Sequence, residues 1–152
     1  MTAPVRYVFV YGTLRRGEQR DINLLRPQPR WVGLGGIRGA LYDLRTYPGV
    51  VLDAGAVEGA CGVVRGEVYA IAPALEQVLD EIEEVWPQQS GEYSKREVAV
   101  TLDGSPADLP RHETCLPRIV TCLVYAIDAA RSQGRFLIAG GDWVAHRQKL
   151  AL

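Results

Sequence analysis

Apolar residues run almost unbroken through positions 5–10, with Arg6 the one polar interruption, and the run stops at Gly12. A strand covered on both faces has this pattern. Trp31-Val32-Gly33 and Gly39 to Leu44 read as two short strands, with Gly35-Gly36 as a break between them. Thr46-Tyr47-Pro48-Gly49 reads as a tight turn, because Pro-Gly suits its central positions. Residues 50–52 and 63–71 are further strands, separated by a Gly- and Ala-rich loop over 53–61. Residues 93–102 alternate and read as a strand. Residues 118–127 are another, apolar on both faces. Ile22 to Leu25 is loop or a short helix, ended by Pro27 and Pro29.

Residues 73–86 carry the helical period. Leu75, Val78, Leu79, Ile82 and Trp86 recur at i, i+3, i+4 and i+7 and form one stripe at roughly 100° per residue. Pro73 suits the first helical turn and Pro87 closes the helix. Glu76, Asp80, Glu81, Glu83 and Glu84 decorate the remaining surface, most of which reads as a solvated face. Glu81 and Glu83 flank the stripe on opposite sides, so periodicity permits a half-buried Glu83 without choosing it over Glu81. A second, shorter helix is expected over 143–150, capped by Asp142.

With 152 residues the chain is long enough for one domain with a real core. Its 17 Lys+Arg against 18 Asp+Glu give a net charge of -1, which offers no basic surface for nucleic acid. No apolar run approaches the ~18 residues of a membrane helix. The N-terminus has no charged segment before its first strand, so a signal peptide is not expected. Cys61, Cys115 and Cys122 lack C-x-x-C spacing and read as reduced thiols of a cytoplasmic protein, with Cys122 in the core. His112 and His146 stand isolated and read as surface residues; no metal-ligand spacing is evident. The long polar loop 103–117 is of a length at which loops tend to be functional.

The stop at Gly12 is where chemistry is expected. A turn after a buried strand leaves backbone N–H groups without partners, and these can hold a carboxylate or a developing oxyanion. The same strand-Gly-turn also occurs as plain scaffolding, and the pair Arg15-Arg16 reads as solvated surface. The residues are more specific than the pattern. Tyr11-Gly12-Thr13-Leu14-Arg15-Arg16-Gly17 resembles the opening signature of the γ-glutamylcyclotransferase-like (AIG2-like) family. Further similar pieces follow in the family's order along nearly the whole chain: Gly39 to Leu44 with Tyr47-Pro48-Gly49, then Val64-Arg65-Gly66-Glu67-Val68-Tyr69. Leu79-Asp80-Glu81-Ile82-Glu83, Tyr93-Ser94-Lys95-Arg96 and Gly141-Asp142-Trp143 complete the set.

The resemblance implies a single mixed α/β domain over 1–152: a small, largely antiparallel, barrel-like sheet with a few helices, one beside its opening. It implies cyclisation of a γ-glutamyl amine or γ-glutamyl amino compound to 5-oxoproline with release of the free amine. It leaves open removal of a γ-glutamyl protecting group in a biosynthetic pathway, or binding without turnover. It selects Glu83 as the catalytic carboxylate and Tyr11, Gly12, Thr13 and Leu14 as substrate-binding residues. Tyr93 either lines the site or is an ordinary strand tyrosine. The family usually has glycine after the glutamate; here Glu84 follows, and a second carboxylate either perturbs Glu83 or points to solvent. No cofactor or metal is implied, since the nucleophile belongs to the substrate. The chain reads as a monomer acting on a small-molecule γ-glutamyl substrate, without nucleic-acid or membrane partners.

Overall fold

Val8 and Val10 pack to one side of the first strand, Phe9 and Tyr11 to the other, and all four are buried. The opening apolar run is thus a strand between two cores. The computed structural model describes residues 6–45, 47–52, 62–83, 93–103 and 118–150. Its strands are β1 (Arg6–Val10), β2 (Arg30–Asp43), β3 (Pro48–Leu52), β4 (Gly62–Ile71), β5 (Ser94–Leu102), β6 (Ile119–Ala126) and β7 (Phe136–Leu137). Its helices are α1 (Pro73–Ile82) and α2 (Trp143–Leu150).

Neighbouring strands run in the order β2-β4-β1-β6-β5, and β5 returns to β2 through Gly35↔Leu102 and Gly36↔Thr101. The result is a closed barrel in which only the β1–β6 pairing is parallel. β3 and β7 extend the later half of β2 outside this closure. Alternate residues fill the barrel, among them Phe9, Ile37, Val64, Val68, Val100, Cys122 and Val124. Burial pushes the Cys122 thiol up to about 12, which suits a core residue rather than a reactive one.

The two short strands expected around Gly35-Gly36 are one strand of 14 residues. The glycines do not break it; they are where β2 is shared between β4 and β5. A side chain at Gly35 would meet Val100 Cγ1 at 2.9 Å and Thr101 O at 3.0 Å, so the sheet can close there only without one. The turn expected over 46–49 also lies earlier in the chain. Leu44 N donates to Tyr47 O at 3.0 Å, and Pro48 and Gly49 already pair with Asp43 and Tyr42. Proline is tolerated there because it starts its strand.

Helix α1 lays Leu75 and Leu79, both fully buried, against Val8, Val10, Tyr69 and Ile71. Each such leucine contributes about 1.5–3 kcal/mol by leaving water. The helix is shorter than its period suggests, because Glu83 caps it, its amide reaching Leu79 O at 2.9 Å. Trp86 and Glu84 lie outside the described residues. Not every acidic residue of the helix is on a solvated face. Asp80 is buried, and it accepts from the Tyr125 hydroxyl at 2.7 Å and from Lys95 Nζ at 2.9 Å. Asp142 caps α2 by accepting from Ala145 N at 3.1 Å. His146 is not isolated either: Nε2 lies 2.8 Å from Asp43 Oδ2, and its ring stacks on Phe136. His112, Cys61, Cys115 and all but the first residue of the 103–117 loop lie outside the described residues. No helix among the described residues is long and apolar enough to cross a membrane.

Candidate active site

The turn after β1 is held by its own carbonyls. Gly12 O accepts from Arg15 N at 3.0 Å, Thr13 O from Arg20 N at 2.8 Å, and Leu14 O from Ile22 N at 2.9 Å. None of the turn's hydrogen bonds among the described residues is donated by the amides of Thr13 or Leu14. The segment closes on Asp21, whose carboxylate accepts from Gly17 N and Asn23 N, both at 2.9 Å. Burial acts to raise the Asp21 carboxyl, but those amides and nearby Arg16 win and hold it below its ordinary range.

Arg15 is not solvated surface. Its Nε meets Glu67 Oε2 at 3.0 Å and its guanidinium reaches Asp142 Oδ1 at 3.1 Å. Glu67 is buried and also accepts from Arg16 N at 2.9 Å and the Tyr69 hydroxyl at 2.8 Å. One carboxylate on β4 thereby fixes the turn through two successive residues, and Asp142 ties the same arginine to α2. Arg16 is exposed, with its guanidinium 4.6 Å from the centre of the Trp31 ring, a cation–π contact.

This turn and the end of α1 face one cavity of about 440 Å³. Tyr11, Gly12, Thr13, Leu14, Glu83 and Tyr93 all line it. Glu83 is half-buried, whereas Glu81 is exposed and does not line the cavity. The ambiguity left by the helical period is therefore resolved geometrically: the end of the helix turns Glu83 inward.

The tyrosines wall the cavity with their rings and send their hydroxyl protons into protein. Tyr11 donates to Tyr125 O at 2.5 Å and accepts from Val50 N at 3.3 Å, tying the end of β1 to β6 and β3. Tyr93 donates to Pro48 O at 2.7 Å. Burial chiefly, and the nearby Glu83 charge in addition, push the Tyr11 phenol well above its ordinary range. Tyr125 is raised by burial first, then by its bond to Asp80 and the charges of Asp80, Glu83 and Glu76. Both remain protonated at any physiological pH.

Gly12 is needed first by the protein itself. A Cβ there would lie 2.5 Å from Pro48 Cγ and 2.8 Å from Pro48 Cδ. Gly12→Ala is expected to push Pro48 away and carry with it the carbonyl that holds Tyr93, at a cost of about 1–3 kcal/mol. Denaturant unfolding checks this: stability should fall. An unchanged midpoint would mean that the proline gives way freely and the glycine is dispensable.

Sequence reasoning did not single out Gln19, Arg20, Tyr47, Pro48 or Tyr125 as site residues, yet all five line the cavity. Tyr47-Pro48 stood within a family-like piece, which was a usable signal. Tyr125 was hidden in an apolar strand, and Arg20 in a polar stretch without periodicity.

A small closed barrel whose glycine turn and helix-end carboxylate share a cavity has the γ-glutamylcyclotransferase-like architecture. The chain belongs to the family described as gamma-glutamyl cyclotransferase, AIG2-like, whose model matches residues 8–145. It is 41% identical over 78 residues to a Vibrio cholerae protein provisionally named a gamma-glutamylcyclotransferase, an alignment spanning 51% of this chain and 62% of that one. The structure is similar to YkqA of Bacillus subtilis, with a TM-score of 0.65 and 25% identity, covering 97% of this chain but only 43% of YkqA. It also shares its fold with an AIG2-like protein of Mus musculus, with a TM-score of 0.56 and 23% identity over 80% of this chain and 76% of the mouse chain.

Proposed function

We propose that this protein cyclises a γ-glutamyl compound to 5-oxoproline and a free amine, with Glu83 as general acid and base. The observation that carries the reading is that the half-buried Glu83 lines the same cavity as Thr13 and Leu14. The substrate's α-ammonium gives a proton to Glu83. Its nitrogen then attacks the γ-carbonyl carbon, and the carbonyl oxygen takes the negative charge. As the tetrahedral centre collapses and the carbonyl re-forms, Glu83 gives its proton to the leaving nitrogen while that nitrogen's bond to carbon breaks; the ring nitrogen then sheds its second proton by way of Glu83 to the released amine, which departs as an ammonium. The amides of Thr13 and Leu14 supply donors for the oxyanion or for the α-carboxylate. The rings of Tyr11 and Tyr93 shape the wall, and Gly12 lets the turn sit against Pro48.

The test is incubation with a panel of γ-glutamyl amines, γ-glutamyl amino acids and glutathione, with mass spectrometry for 5-oxoproline. Stoichiometric 5-oxoproline and amine from at least one member supports the reading. Binding of panel members without product would make the protein a γ-glutamyl-metabolite binder, and neither binding nor product would remove the γ-glutamyl assignment. Removal of a γ-glutamyl protecting group would emerge as turnover confined to larger leaving amines.

Because the substrate carries its own nucleophile, the reaction as written asks nothing of a metal. Activity is expected to survive exhaustive chelation. Loss on chelation, restored by one added divalent ion, would replace this mechanism with a metal-assisted one.

A further inference from the structure

Helix α1 meets the cavity at its last turn: Ile82 and Glu83 line it, and Asp80 does not. Asp80 lies three residues before Glu83, a neighbouring place on the helix surface. It is buried, although the proposed cyclisation does not use it. Its Oδ1 accepts from the Tyr125 hydroxyl at 2.7 Å and its Oδ2 from Lys95 Nζ at 2.9 Å. These two donors belong to residues that stand directly opposite each other on β5 and β6. One carboxylate therefore clasps α1, near its end, to a cross-strand pair. Burial acts to lower the Lys95 ammonium, but its bonds to Glu76 and Asp80 win and hold it above its ordinary range, so Asp80 faces a full positive charge.

Leu75 and Leu79 already hold α1 to the sheet, but apolar burial is non-directional and leaves a helix room to roll or slide. Two charge-assisted hydrogen bonds to one planar carboxylate fix direction as well as distance. Burying a carboxylate is costly, and an apolar residue of similar size often serves stability as well. What Asp80 adds is position. Tyr125 is held from its backbone too, where its carbonyl accepts from the Tyr11 hydroxyl at 2.5 Å. Asp80, Tyr125 and Tyr11 thus join the helix that bears Glu83 to the residue that opens the Gly12 turn, on two walls of one cavity. We propose that Asp80 is a positioning residue: by clasping Tyr125 and Lys95 it sets the end of α1 so that Glu83 meets the reacting nitrogen in productive geometry. This rests on the acid–base reading of Glu83 and adds what places it.

The experiment measures kcat and KM for Asp80→Asn and Tyr125→Phe, each alone and each combined with Glu83→Gln, on the γ-glutamyl compound of the panel that the wild type turns over fastest. Asp80→Asn keeps the size of the side chain, and Tyr125→Phe keeps the ring that walls the cavity. Each is expected to lower kcat about ten- to hundred-fold, as a small misplacement of a catalytic group does, with KM changing little. In the Glu83→Gln background each should cost less than about two-fold, because a residue that acts through Glu83 then has nothing left to place. A loss of the same factor in both backgrounds overturns the proposal, since it marks a merely structural role or a direct contact with substrate. So does a change confined to KM, or no change. If Asp80→Asn does not fold, Tyr125→Phe decides by the same criteria. Should the wild type yield no 5-oxoproline from any panel member, the cyclisation reading fails separately, and hydrogen exchange at the Glu83 amide, which donates to Leu79 O at 2.9 Å, decides the role of Asp80. Faster exchange in the variants supports the clasp; unchanged exchange overturns it.

Discussion

Glu83→Gln is expected to lower turnover by about 10²–10⁴, the usual effect of removing a general acid and base. The amide keeps the size and most of the hydrogen bonding of the carboxylate, so the cavity keeps its shape. The loss should therefore appear in kcat, with KM changing little. Glu81→Gln is the matched control. Glu81 sits two residues away on the same helix but is exposed and outside the cavity, and its substitution should change kcat by no more than a small factor. Steady-state kinetics on the best substrate of the panel, with near-UV circular dichroism to confirm folding, would check the pair. An inactive Glu81→Gln beside an active Glu83→Gln would mean that the family motif has been read in the wrong register. Full activity in both would move the chemistry off the helix.

Glu67→Ala is expected to destabilise the protein by about 3–5 kcal/mol, because it takes a buried carboxylate away from a half-buried arginine and from two further donors. The side chain takes three donors: Arg15 Nε, Arg16 N and the Tyr69 hydroxyl. Removing it leaves Arg15 with Asp142 alone and two donors without their acceptor. At roughly 2–4 °C per kcal/mol for a chain of this size, thermal unfolding should fall by about 6–20 °C. Activity should drop as well, since the same carboxylate fixes the turn that bears Thr13 and Leu14. The double variant Arg15→Met/Glu67→Leu should recover much of the stability but not the activity, because both charges leave together while the turn loses its tether. If Glu67→Ala unfolds at the wild-type denaturant midpoint, the pair contributes nothing to stability and the turn is held by its carbonyls alone.

Several elements could be read directly from order along the chain. The run 5–10 had to be buried on both faces because it offers no polar face, and β1 lies between two cores. The stripe Leu75, Val78, Leu79, Ile82 set the inner face of α1, and the cap at Asp142 followed from residue type. The short motifs, in their order, defined the family and its barrel-like sheet. Such features are local: they depend on neighbours within a turn or a pleat, which periodicity records.

Other features required the closed sheet. Gly35-Gly36 looked like a break because glycine weakens an isolated strand. In the barrel it is the seam, where β5 approaches too closely for a side chain. Asp80 looked solvated until Tyr125, 45 residues away, and Lys95 were brought to it. Arg15 looked like surface because its partners lie 52 and 127 residues along the chain. Glu83 and Glu81 are equivalent by period; the family motif chose between them, and the structure adds that the end of α1 sets Glu83, not Glu81, against the cavity. Arg20 and Tyr125 enter the cavity for the same reason. A hydrogen bond or ion pair across the barrel leaves no periodic trace in the sequence, because barrel closure, rather than chain spacing, brings its two ends within reach.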